Sequence, residues 1–274
     1  MGTLFIVATP IGNLSDITHR ALQTLREADV IACEDTRHTV KLLNHFGIQK
    51  PMVSYHEFNE EEKAEELARQ LSGTTTIALV SDAGTPAIND PGYELVRAAL
   101  ASNFDVVPIP GPSAPIAALS ISGLPTDSFL YLGYLPHKKN DRRKFIERVS
   151  DFPHTLIFLE SPYRIVEGLE DLLSLLGDRR ACIAREMTKM FEEYWRGTLS
   201  GAVEYFKSQP ARGEFTLVVD GKSKEDKMKW TEEEMLEAIK QELKKHRSAK
   251  EISAELAKQS GWSKKDIYAR VNQI

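Results

Sequence analysis

A short apolar run, Thr76-Ile77-Ala78-Leu79-Val80, passes into Ser81-Asp82-Ala83-Gly84-Thr85-Pro86-Ala87-Ile88-Asn89-Asp90-Pro91-Gly92, a composition that no packing need explains. Asp82 sets one carboxylate at the carboxyl end of a strand, among small residues that let backbone approach a ligand closely. Pro91 then opens a helix, at a favoured first helical position. Open α/β sheets bind their ligands at that end of the strands. A turn or helix-capping aspartate is the competing account of Asp82.

The same grammar recurs. Leu4 to Ala8 leads into Thr9-Pro10-Ile11-Gly12-Asn13, and Val106 to Ile109 into Pro110-Gly111-Pro112-Ser113-Ala114. One such loop alone reads as a turn, whereas three in one half of a chain favour a shared pocket. Glu34-Asp35-Thr36-Arg37 follows the strand Val30 to Cys33, so its side chains can reach that cleft from another wall. Arg37 either meets a phosphate or pairs with a neighbouring carboxylate. The densest basic cluster, His137-Lys138-Lys139-Asn140-Asp141-Arg142-Arg143-Lys144, falls on the loop after the strand Phe129 to Tyr134. Such a run is either a solvated face or, at a strand end, a nucleic-acid backbone contact. Tyr163 beside Arg164 either stacks an unpaired base or packs under its helix. The seven histidines show no ligand spacing, and Cys33 and Cys182 read as buried thiols, so no metal is expected.

Strand-like runs at Leu4–Ala8, Val30–Cys33, Met52–Tyr55, Thr76–Val80 and Val106–Ile109 alternate with helical patterns, the signature of βαβ units and a mainly parallel sheet. Ser113 to Gly123 reads as a helix, and Leu124-Pro125-Thr126-Asp127 as a linker. A second α/β set follows, with strands at Phe129–Tyr134, Thr155–Leu159, Arg180–Arg185 and Glu214–Asp220. The expected fold is therefore two α/β domains, 1–123 and 124–221, with a cleft between them. Lys222 to Lys229 reads as a charged hinge into a helical tail, 222–274, where Thr231 with Glu234 and Ser248 with Glu251 form capping boxes. The pair Ala249–Gln259 and Lys264–Asn272 has helix-turn-helix dimensions.

Residues 222–274 hold 13 Lys/Arg against 10 Asp/Glu, while the first 221 hold 22 against 30. An acidic body argues against indiscriminate gripping of nucleic acid, so an RNA substrate must meet local basic patches. The longest uncharged run, Val106 to Thr126, is broken by Pro108, Pro110, Pro112, Pro115 and Pro125 and cannot be a membrane span. Without a basic leader at Met1-Gly2-Thr3, the expected location is the cytoplasm.

The motifs Ala8-Thr9-Pro10-Ile11-Gly12-Asn13-Leu14, Glu34-Asp35-Thr36-Arg37, Ser81 to Pro86, Pro110 to Ala114, Glu160-Ser161-Pro162-Tyr163-Arg164 and Arg185-Glu186-Met187-Thr188-Lys189 occur in that order. Jointly they resemble the tetrapyrrole methylase superfamily, in particular its ribosomal RNA branch, over residues 4–221. The resemblance implies S-adenosylmethionine (SAM) between the two domains, touching Pro10, Asp82, Ala87, Ser113, Ala114 and Leu159, with a contact near Arg185. It implies methylation of the ribose 2′-oxygen of a cytidine in the decoding region of 16S rRNA, on the small ribosomal subunit, by a homodimer. Small-molecule members carry a more glycine-rich first loop and Gly-Asp-Pro in the second, where this chain has Ala8-Thr9-Pro10 and Ser81-Asp82-Ala83; a tetrapyrrole substrate is the weaker alternative. A non-catalytic ribosome assembly factor is another. In the RNA reading, Glu186 and Lys189 lead Asp35 and Glu34 as candidate proton acceptors, Lys189 only if desolvation lowers its pKa. Arg37, Lys138, Lys139, Arg142, Arg143, Tyr163 and Arg164 are then the candidate RNA contacts.

Overall fold

The computed structural model describes residues 2–71, 73–209, 212–223, 230–245 and 247–274. The charged hinge expected at Lys222 to Lys229 therefore lies outside the described residues beyond its first two.

Alternation along one strand explains the layering of the first half. In β4 (Thr76–Val80), Ile77 and Leu79 join a core with Leu67 and Leu71 of the α3 (Glu60–Gln70) segment and with Leu95 and Ala99 of α4 (Tyr93–Ala101). Ala78 and Val80 face the other way, toward Ala21 and Leu25 of α1 (His19–Glu27) and Leu43 of α2 (Thr36–His45). Period-2 alternation between two apolar faces is what a sheet covered by helices on both sides requires. The strands β1 (Thr3–Val7), β2 (Val30–Cys33), β3 (Met52–Ser54) and β5 (Asp105–Ile109) complete a wholly parallel sheet in the order β3-β2-β4-β1-β5. The buried Tyr55 hydroxyl accepts the Leu95 N–H at 3.1 Å, so it satisfies one of the orphan donors at the start of α4. That helix starts at Tyr93, two residues later than Pro91 suggests.

The second sheet runs β6-β7-β10-β8-β9, from β6 (Phe129–Tyr134), β7 (Thr155–Glu160), β8 (Arg180–Arg185), β9 (Glu193–Thr198) and β10 (Phe215–Val219). Only β6 and β7 are parallel; β10 pairs antiparallel with β7 and β8, and β9 with β8. β9 is absent from the sequence expectation because an exposed edge strand need not alternate cleanly. On one face lie α6 (Lys139–Val149), α7 (Ile165–Leu176) and α8 (Leu199–Lys207), packed around Leu156, Phe158, Ile183 and Leu217. The other face is covered by α5 (Ala114–Ser122), whose Ala118 and Leu119 meet Ile157, Cys182 and Val218. The last helix of the first half thus belongs, by packing, to the second sheet.

The cluster His137 to Lys144 is corrected here: most of it is the first turns of α6, not a loop. Arg142 is 1% exposed; its Nε is 2.8 Å from Asp171 and one terminal nitrogen 3.3 Å from Glu167. Arg143 also binds Asp171, at 2.9 Å. This network ties α6 to α7, and leaves no guanidinium of Arg142 for a phosphate.

The tail is three helices, α9 (Glu232–Leu243), α10 (Ala249–Ser260) and α11 (Lys264–Val271), around a core of their own that includes Met235, Ile239, Ile252, Leu256, Ile267 and Val271. Both capping boxes form as read.

Candidate active site

The loops after β1 and β4 are tied by a two-residue bridge in which Thr9 and Gly84 exchange backbone hydrogen bonds of 2.8 and 3.0 Å. Gly84 holds φ +80°, in the left-handed region where glycine carries no Cβ penalty. The loop 81–92 is thereby folded over the carboxyl ends of the first sheet, facing β6 and β10 of the second. Two compartments result.

The first, about 270 Å³, lies between Asp82–Thr85 and Ile88–Asp90, the start of α5 at Ser113–Pro115, and the second-half residues Tyr131, Tyr134, Leu159, Met187 and Glu214–Thr216. Tyr131 and Tyr134 both reach it because the β6–β7 register shifts between them. At the shift Gly133 sits at φ +66°, and a Cβ there would meet the Asn89 amide nitrogen at 2.3 Å. Regular alternation would send residues three apart to opposite faces, so sequence periodicity could not find this pair. Burial pushes the Tyr131 hydroxyl up to about 12 and it stays a neutral donor.

Four carboxyl groups mark this compartment, Glu34, Asp82, Asp90 and Glu214. Asp82 accepts the Asp35 N–H at 3.2 Å, which joins the β2 and β4 strand ends. Burial raises the Glu34 pKa, with the Asp90 and Asp82 charges adding to it; burial also raises that of Asp90, the Asp82 charge adding and a Ser81 hydrogen bond opposing.

The second compartment, about 400 Å³, shares Ile11, Asp82, Ala83 and Glu214 with the first and is otherwise lined by the β1 loop (Thr9, Pro10, Gly12, Leu14), by α2 (His38, Thr39, Lys41, Leu42), by Ser81 and by Lys189. Asp82 therefore stands in the wall between them. Here the two halves clasp: the Thr188 hydroxyl accepts the Asn13 N–H at 3.1 Å, and a Cβ on Gly12 would meet Lys189 Cγ at 2.5 Å. Thr188 is held at φ +65° and Glu186 at φ +49°, conformations that cost a β-branched residue most.

Of the residues expected from sequence, Asp82, Ser113, Ala114 and Leu159 line the first compartment, and Pro10 and Lys189 the second. Ala87, at φ +66°, packs against Gly92 inside the loop and lines neither. Arg185 and Glu186 border a separate hollow, where Arg185 donates to the Arg212 carbonyl at 2.7 Å and pairs with Glu193 at 3.1 Å. The lowered pKa that would make Lys189 a base does not arise. Burial works against its charge, but hydrogen bonds to Glu186 (2.8 Å) and Glu214 (3.0 Å) outweigh it and raise the pKa. Arg37 is tied to its neighbour Asp35 at 2.7 Å, and its side-chain and backbone hydrogen bonds hold that carboxyl down to about 2. Arg164 is turned inward to Glu160 (2.7 Å) and the Leu135 carbonyl (3.1 Å). Tyr163 beside it is 94% exposed, and Lys138 and Lys139 are exposed too, so these three remain available to a partner. Glu214, which faces both compartments, carries no sequence signal beyond its place at a strand start.

With this geometry in hand, the comparisons fix the family. Residues 3–203 match the family of tetrapyrrole (corrin/porphyrin) methylases, and the chain belongs to it. It is 47% identical over 270 residues, 97% of this chain and 93% of the relative, to the ribosomal RNA small subunit methyltransferase I of Halalkalibacterium halodurans. Among solved structures, diphthine synthase aligns with a TM-score of 0.62 at 18% identity, over 81% of this chain and 90% of that one. Uroporphyrin-III C-methyl transferase from Thermus thermophilus, complexed with S-adenyl homocysteine, aligns at 0.55 and 20% identity, over 79% and 97%. At such identities these two describe the fold alone. No helix among the described residues is long and apolar enough to cross a membrane.

Proposed function

We propose that this protein is a SAM-dependent methyltransferase of small-subunit ribosomal RNA, and that its target is the ribose 2′-oxygen of a cytidine in the decoding region of 16S rRNA. The observation that carries the reading is the pair of compartments divided by Asp82 at the carboxyl ends of the first sheet. The names of relatives up to 49% identical support the substrate.

The first compartment suits the methyl donor. Carboxylates of Asp82, Glu34 and Asp90 complement a cationic sulfonium and ammonium, small residues at Ser113 and Ala114 admit the molecule, and Leu159, Tyr131 and Tyr134 offer apolar surface. When bound, the cofactor supplies an activated methyl group. Transfer to an alcohol is an in-line displacement, so the chain's main task is alignment, with reacting atoms about 3–3.5 Å apart. We assign proton acceptance to Glu34, whose carboxyl accepts the Asp82 N–H at the wall between the compartments, which a ribose entering the second compartment meets, and whose pKa is raised, whereas Glu186 lies behind Lys189. Glu186 then acts through Lys189, holding the ammonium at the mouth of the second compartment. Arg37, Lys138, Lys139 and Tyr163 are proposed RNA contacts. A homodimer working in the cytoplasm completes the reading, and sedimentation tests the dimer.

The test is to incubate the protein with methyl-labelled SAM and unmodified small ribosomal subunits and to identify the labelled nucleoside by mass spectrometry. Label on a cytidine ribose is expected. Donor binding with no transfer to subunits or free 16S rRNA would turn attention to tetrapyrrole substrates and to the assembly role.

A further inference from the structure

The second compartment opens along α2, and this helix carries a basic stripe that the cofactor reading does not use. His38 and Lys41, three residues apart, share one helical face and both line the compartment. Both are exposed, and neither side chain has a hydrogen-bond or ion-pair partner among the described residues. They differ in this from Arg37, which is paired with Asp35, from Lys189, paired with Glu186 and Glu214, and from Arg164, paired with Glu160. Thr39, 2% exposed, lines the same wall, and its hydroxyl meets no oxygen or nitrogen partner, only the Cys33 thiol. In a body with 22 Lys/Arg against 30 Asp/Glu, an unpaired ammonium beside an unpaired imidazole at the mouth of a cavity marks where negative charge is received.

We propose that His38 and Lys41 form a phosphate dock, which holds a backbone phosphate of the RNA strand next to the nucleotide whose ribose enters the second compartment. This rests on the reading above and adds the strand's path: along α2, past Leu14 and Gly12, and into the wall at Asp82. Lys41 provides a compact point charge and His38 a ring N–H donor, a pair that suits a phosphodiester oxygen. Thr39 adds a hydroxyl deeper in the wall. Anchoring the phosphate fixes the sugar attached to it, which is what an alignment-limited transfer needs.

The test measures methyl transfer to small ribosomal subunits and SAM affinity for the wild type, Lys41→Glu, His38→Glu and, as a control at the amino end of the sheet, Lys50→Glu. Lys41→Glu should raise KM for the subunit about tenfold, leave SAM affinity unchanged, and flatten the dependence of log K on log salt by about one phosphate's share, roughly 0.7 for a single strand. His38→Glu should act in the same direction, and Lys50→Glu should match the wild type. A wild type that methylates subunits, with Lys41→Glu equal to it in KM and salt slope, overturns the dock. So does a higher KM with an unaltered slope, and so does competition by polyglutamate that outdoes single-stranded RNA. A wild type that transfers no methyl group to any ribosomal RNA fails the parent reading instead.

Discussion

The Lys189 ammonium lies 2.8 Å from the Glu186 carboxylate, and the same carboxylate oxygen takes the Glu214 N–H at 3.0 Å. Burial opposes ionisation of Glu186, but these bonds outweigh it and hold its pKa below the ordinary value. Stability from such a carboxylate is present above its unfolded pKa and is lost as pH falls through the folded one. Lys189→Met should therefore cost on the order of 1 kcal/mol at pH 7, with the difference from wild type narrowing toward pH 4 in thermal melts. Lys189→Met and Glu186→Gln should each lower turnover and spare SAM affinity. Unchanged turnover in both would take the pair out of catalysis.

Glu34 titrates in the opposite sense. Its folded pKa is raised, so its contribution is full below its unfolded value and is lost as pH rises through the folded value. Glu34→Gln should melt above wild type at pH 7 and converge with it at pH 4, while turnover drops roughly 10²- to 10⁴-fold. Wild-type turnover should rise with pH through the Glu34 titration. A fully active Glu34→Gln would return proton acceptance to another group.

Arg142 and Lys139 sit three residues apart in sequence and predict opposite phenotypes. Arg142→Ala removes one of the two guanidinium partners of buried Asp171, leaving Arg143, and should destabilise the fold by about 3 kcal/mol, the low end for a broken buried pair. Charge reversal at Lys138 and Lys139 should leave the melting temperature alone and reduce the salt dependence of RNA binding. An unchanged slope would return both lysines to a solvated role.

Tyr163→Ala should change stability by no more than about 0.5 kcal/mol, since the ring is exposed. If the ring stacks a base, RNA affinity should fall by about 1–3 kcal/mol in a binding titration. Equal affinity would leave Tyr163 without an RNA role.

The strands and the loops that follow them were legible in the sequence because period-2 apolar runs and Pro/Gly punctuation are local signals. Asp82 could be singled out for that reason, whereas Ser113 is named only through the family resemblance of its loop. What stayed hidden depends on contacts made far along the chain. The burial of Arg142 needs Asp171 on another helix, and the joint approach of Tyr131 and Tyr134 needs a register shift against β7. Nothing in the sequence marks His38 and Lys41, because no local signal says that α2 borders a cavity. The insertion of β10 between β7 and β8 is likewise a long-range result.

Strand order in the first sheet also sets a timetable. β1, completed by residue 7, pairs only with β4 and β5, so its backbone has no ladder partner until residues 76–80 have been made and its second edge none until 105–109. At roughly 5–20 residues per second, a nascent chain carries that apolar strand unpaired for several seconds. Closing so long a loop makes the parallel sheet the slow step of folding, whereas the tail helices pair with near neighbours and assemble quickly once released. Leu4–Val7 is therefore an apolar segment that waits long for its partners during synthesis, and mutations that weaken β4 should lower yield more than they lower the stability of the finished protein.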